Sequence, residues 1–166
     1  KGFGILDEGT WKKNTLAYNY ESDDHKCDIS CQECLKNYDN RFQHKYLNWR
    51  LGLDLLEIIY TGEFNLKRWE PIKKKSSEVL KSIKETHPEV IINIDEENTD
   101  TIIFKDKAII IGHPLWDKNN YHNNDFQNQS YNYLKKQGLK TENIKFRDYV
   151  KTIENPSLII SDLRDE

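Results

Sequence analysis

Cys27-Asp28-Ile29-Ser30-Cys31-Gln32-Glu33-Cys34 holds all three cysteines of the chain, spaced C-x3-C-x2-C. A C-x2-C pair sets two thiolates on one tight turn, where both reach a single tetrahedral zinc ion. Cys31 and Cys34 form such a pair, and Cys27 stands near enough to be a third ligand. The fourth is a histidine of this chain or a residue outside it. His25 extends the knuckle to H-x-C-x3-C-x2-C, and His44 is the alternative on the element that follows. An odd, clustered set of thiols does not suit a secreted disulfide framework, and reduced thiolates suit a metal. A redox C-x2-C belongs at a helix N-terminus in a βαβ unit, and the residues upstream show none. A catalytic zinc needs an open position with a base beside it, which the knuckle does not supply. The expectation is a structural Zn2+ and no catalytic residue.

Behind the knuckle, residues 47–60 read as one helix. Leu47, Leu51, Leu55 and Ile58 follow helical spacing, and Trp49, Leu53 and Leu56 widen the stripe, so most of the helix is expected to be buried. The polar remainder is Arg50, Asp54 and Glu57, with Arg50 and Asp54 placed to pair across one turn. Gly62 is free to close the helix in a left-handed cap. Residues 63–75 read as a basic connector, which divides the chain into 1–62, 63–75 and 76–166. Lys67, Arg68, Lys73, Lys74 and Lys75 are candidate phosphate contacts, with Trp69 stacking on a base and Arg41 extending the surface. The competing reading is a solvated linker whose Trp69 fills a gap.

The second half reads as α/β (or α+β). Ser76 or Ser77 caps a helix to about Thr86, stopped by Pro88. Val90 to Ile94 is a short strand. Thr101–Phe104 and Ala108–Ile111 form a hairpin about Lys105-Asp106-Lys107. His113-Pro114 ends the second run, where a histidine more often fixes a turn than binds a ligand. A helix over 125–137 ends at Gly138, and strands are expected at 144–150 and 158–160. This order is also that of restriction-endonuclease-like cores, with Asp100 a candidate first carboxylate. The E-x-K partner is missing, so converging carboxylates for metal-assisted cleavage are not found. The acidic run from Asp95 to Asp100 reads as a solvated turn.

At 166 residues, the chain suits one domain or two small ones. Its 25 basic and 28 acidic side chains give a net charge of −3, so any nucleic-acid surface must be local. No apolar run approaches the roughly 18 residues of a membrane span, and a cytoplasmic location without membrane contact is expected. The absence of methionine points to a piece of a longer protein.

Cys31-Gln32-Glu33-Cys34-Leu35-Lys36-Asn37-Tyr38-Asp39-Asn40, with His44 and Leu47-Asn48-Trp49-Arg50-Leu51-Gly52-Leu53-Asp54-Leu55-Leu56, resembles the C-terminal zinc-binding domain of DEAD/DEAH-box helicases of the mitomycin-repair and phage-defence type. His25 stands where that family has its first cysteine, and Asn48 where it has an aspartate. The resemblance implies a non-catalytic, zinc-stabilised domain of a superfamily-two DNA helicase. The rest of that chain, the ATPase motor, would lie upstream. DNA and a defence or repair protein would be partners. No G-x4-G-K-[ST] loop and no D-E-x-H box occur here. A protein docking module and a nuclease-like enzyme are the alternatives.

Overall fold

The computed structural model describes residues 6–7, 10–11, 27–32, 35–62, 65–95, 99–116 and 125–164. The chain is α/β in class, with helices and a four-stranded mixed sheet. It divides into two compact units, Lys1–Glu70 and Pro71–Glu166. Among the described residues, no helix is long and apolar enough to cross a membrane.

The first unit opens with a small antiparallel pair, β1 (Leu6–Asp7) and β2 (Thr10–Trp11). A 3-10 turn over Arg41–Tyr46 leads into helix α1, Trp49–Thr61. Asn48 begins α1 by accepting the amides of Arg50 (3.0 Å) and Leu51 (3.2 Å) on its side-chain oxygen, so its amide serves as an N-cap. Gly62 ends the helix at φ 82°, in the left-handed cap that the sequence predicts.

The buried face of α1 differs from the expected one. Trp49, Arg50, Leu53 and Asp54 are buried, while Leu55 and Ile59 are 50% and 82% exposed and Leu56 and Tyr60 are open as well. The supposed polar edge is therefore the inner one. Arg50 and Asp54 do not pair with each other. Each finds hydrogen-bond partners from outside the helix: Asp54 takes Arg68 and Trp69, and Arg50 takes the carbonyls of Asp28 and Arg68.

The second unit begins with α2, Glu70–Thr86. The helix starts well before Ser76, because Pro71 near its first turn favours helix entry. Lys73, Lys74 and Lys75 are thus helical, and residues 63–75 are not one connector. Ser76 and Ser77 are buried within α2 and do not cap it. Four strands follow: β3 (Ile91–Asn93), β4 (Asp100–Phe104), β5 (Lys107–Gly112) and β6 (Ile144–Asp148), in the order β3-β4-β5-β6. The first two pairings are antiparallel and β5–β6 is parallel. Helix α3, Asp125–Lys136, lies in sequence between the two parallel strands. Lys105, at φ 55°, takes the left-handed turn position of the expected β4–β5 hairpin.

Strands β4 and β5 are buried almost throughout. Ile103, Ala108 and Ile110 pack with Leu134 of α3, Leu139 and Ile144 as one apolar cluster. After β6 come α4 (Tyr149–Glu154) and α5 (Ser157–Arg164). The expected strand at Leu158-Ile159-Ile160 is therefore helical. A three-residue apolar run does not separate strand from helix. Ile159 and Leu163, four residues apart, supply the buried side of α5, and Leu158 faces out.

Candidate nucleic-acid interface and polar cleft

In the first unit, the main chain of the knuckle is fastened to the start of α1. The Trp49 indole N–H donates to the Cys27 carbonyl at 2.8 Å. The Trp49 amide donates to Ile29 O at 3.0 Å, and Arg50 Nε donates to Asp28 O at 2.7 Å. Arg50 also donates to the carbonyl of Arg68, and its guanidinium lies 4.3 Å from the Trp49 ring. Burial presses the Arg50 pKa below its ordinary value, while the Asp28 carboxylate pulls it back up.

Cys27 and Cys31 are half-buried on this fastened segment. Cys34 and His25 lie outside the described residues. Among the described residues, no group of three or more His, Cys, Asp and Glu is gathered as a metal site. His44, the alternative ligand, is engaged otherwise. Its Nε2 donates to the Asn37 carbonyl and to Asn40 Oδ1, each at 2.9 Å. Asn37 and Asn40 exchange amide-to-side-chain bonds, both at 2.9 Å. His44 thus locks the turn that follows the knuckle, and its Nε2 is taken.

The basic candidates separate into three groups. Arg68 and Trp69 are buried, which corrects their assignment to a surface. Arg68 pairs with Asp54 and, at 2.9 Å, with Glu57. The Trp69 indole donates to Asp54 Oδ2 at 2.6 Å. A ring held this way cannot stack on a base, and the Arg68 guanidinium is used inside the fold. Lys67, Lys74 and Lys75 are exposed, and the Lys73 ammonium donates to the Asp95 carbonyl. Arg41 is exposed, with its guanidinium 4.3 Å from the Tyr38 ring and 4.6 Å from the Phe42 ring.

In the second unit, a cleft of about 280 Å³ opens between β3, β4 and α3, lined by Asn93, Asp95, Thr99, Thr101, Gln129, Ser130 and Tyr133. Among the described residues, its lining carries one carboxylate, two amides, three hydroxyls and one phenol. The hydroxyls of Thr99 and Ser130 bond across it. These residues are scattered through the sequence, and no local pattern in the chain flags them.

Asp100, beneath the cleft, is fully buried. Ser77 Oγ donates to its Oδ2 at 2.6 Å, and the Asp95 amide donates to its Oδ1 at 3.2 Å. Burial raises the Asp100 pKa against the effect of the Ser77 bond. Tyr149 is raised as well, chiefly by burial and then by Asp100. Asp100 ties α2 to the loop before β4 and is not placed as an open metal ligand. His113 is also fully buried, and its Nδ1 accepts the Leu115 amide at 3.0 Å. It fixes the turn to Trp116, which packs so closely on Gly112 that a Cβ there would lie 2.5 Å from the ring.

One curated protein similar to this chain is the tRNA (guanine(9)-N1)-methyltransferase of Schizosaccharomyces pombe. The two are 33% identical over 97 residues, covering 58% of this chain and 29% of that protein. The chain thus spans less than a third of that relative's length. With 97 of 166 residues matched and 69 left over, a continuous match takes in residues 70–97 wherever it starts. No family profile and no solved structure match the chain. The similarity to a tRNA methyltransferase overturns the helicase-domain expectation, together with its docking-module and nuclease alternatives.

Proposed function

We propose that the chain is an RNA-engaging, methyltransferase-like segment of a tRNA-modifying protein. The observation that carries this reading is the 33% identity over 97 residues with a tRNA methyltransferase. The cleft of the second unit suits it. At about 280 Å³ it lies just below the usual range for drug-sized ligands, a size for one planar heterocycle. Amides, hydroxyls and a phenol can hydrogen-bond a base edge. Lys73 reaches the carbonyl of Asp95, so the basic start of α2 borders the cleft. Lysines beside such a cleft can hold the phosphates of a strand whose base enters it. No transfer step is assigned to the cleft.

The proposal includes a structural zinc at Cys27, Cys31, Cys34 and His25. It is supported by the ligand spacing and by the fastening of the Cys27–Ile29 main chain to α1. Reduced protein should return about one zinc per chain, and removing the metal should loosen the first unit, since structural zinc supplies ~10 kcal/mol or more in small modules. Metal-free protein of unchanged stability would remove the zinc from the proposal.

The test of the main reading is incubation of the full chain with unmodified tRNA and tritium-labelled S-adenosylmethionine, alongside filter binding of the same tRNA. Binding should weaken steeply with salt, and Lys73→Glu with Lys74→Glu should reduce it. A chain that neither retains tRNA at low salt nor transfers label overturns the reading.

A further inference from the structure

The segment Tyr38 to Tyr46 presents three large aromatic side chains to solvent. Tyr38 is 77% exposed, Phe42 78% and Tyr46 73%. Large rings at such exposure within nine residues are candidates for an interaction surface. Two cations are interleaved with them. Arg41 sits over both the Tyr38 and Phe42 rings, which places those two rings on one surface, and Lys45 lies 4.8 Å from the Tyr46 ring. The backbone beneath is fixed. His44, Asn37 and Asn40 bond one another, and Asn40 also donates to the Leu35 carbonyl at 2.7 Å.

Rings and cations in alternation on a rigid turn have one chemical match. Nucleobases offer flat π-faces to the rings, and the phosphates between them offer charge to Arg41 and Lys45. An acidic peptide would satisfy the cations and leave three rings in water. An apolar protein surface would cover the rings and strand the charges. A duplex hides the faces of its bases, so the strand must be unpaired.

We propose that Tyr38, Arg41, Phe42, Lys45 and Tyr46 form a stacking platform for an unpaired nucleic-acid strand. The platform is separate from the cleft of the second unit. It does not depend on the methyltransferase-like reading, because it rests on exposure and ring–cation geometry in the first unit.

The experiment is fluorescence anisotropy of the full chain with labelled U15, T15 and a 15-base-pair duplex at low salt, without methyl donor. Binding should be tighter for single strands than for the duplex. Base–aromatic stacking is worth about 1–3 kcal/mol per base, so each of Tyr38→Ala, Phe42→Ala and Tyr46→Ala should weaken binding by about fivefold or more. Phe42→Tyr should keep it. All three sites are exposed, so the substitutions should leave the fold intact, and an unchanged circular dichroism spectrum checks this. Tighter binding of U15 than of T15 assigns the strand as RNA, and the reverse assigns DNA. Equal affinity for single strand and duplex, or a triple alanine variant that binds like the parent, overturns the platform. Label transfer to tRNA with no loss in the triple variant would overturn it while leaving the methyltransferase-like reading intact.

Discussion

In the first unit, the inner face of α1 carries an arginine and an aspartate beside Trp49 and Leu53. In the second, the buried rows of β4 and β5 are mostly isoleucine. The sheet is held by apolar area, which tolerates small losses because the effect is spread over many contacts. The first unit is held through a few directional bonds. Asp54 takes up Arg68 and the Trp69 indole at once, and Arg50 takes up the carbonyls of Asp28 and Arg68. Such a core is far more sensitive to the loss of one partner, because the survivor keeps its charge in a place without water.

The sharpest break of that contrast is Asp54→Ala. It leaves the buried Arg68 guanidinium with Glu57 as its remaining carboxylate and should cost about 3 kcal/mol in urea unfolding. Replacing both ends of the pair, Asp54→Leu with Arg68→Met, should recover much of that loss. A double variant as unstable as the single one would mean that the unit depends on shape rather than charge. In the sheet, Gly112→Ala forces a Cβ against the Trp116 ring and should cost about 1–3 kcal/mol by overpacking. The Trp116 fluorescence maximum should shift with it. A smaller effect, about 1 kcal/mol, is expected for Asn48→Ala from the lost cap, and Asn48→Asp should restore it.

The smallest expected effect lies in pH dependence. Asp100 is raised from 3.8 chiefly by burial, so its native state holds a proton better than the unfolded chain. Its stabilising contribution is complete below the unfolded pKa and is lost as pH rises through the native one. The stability of the parent relative to Asp100→Asn should therefore fall as pH rises from about 4 and then level off. A difference that grows with pH would show that the charged carboxylate is the stabilising form.

The sheet was legible because its devices are local. The Ile-rich runs and the Lys105-Asp106 turn each carry their own signal within a few residues. The inner face of α1 was not legible. Helical spacing groups Leu55 and Leu56 with the core, but Arg68, Trp69 and the Asp28 carbonyl, supplied from elsewhere in the chain, decide which side turns inward. Within the basic run from Lys67 to Lys75, the inward turn of Arg68 and Trp69 was hidden for a related reason. The run's basic members look alike in sequence, yet a buried aspartate captures Arg68 while Lys74 stays in water. In the candidate surfaces, the knuckle and Arg41 were visible as residue types. The cleft was not, because its lining comes from two strands and a helix. The rings of Tyr38, Phe42 and Tyr46 are visible as residue types, but their exposure is set by the turn that His44, Asn37 and Asn40 hold.

Arg50 has a further consequence for how the first unit opens. One side chain holds the main chain at Asp28, 22 residues before it, and at Arg68, 18 residues after it. Neither end can leave without freeing the guanidinium that serves the other. Amide exchange near the knuckle and near Arg68 should then share one opening event, although the two stretches are far apart in sequence. The guanidinium acts as a clasp that makes two distant loops a single cooperative element.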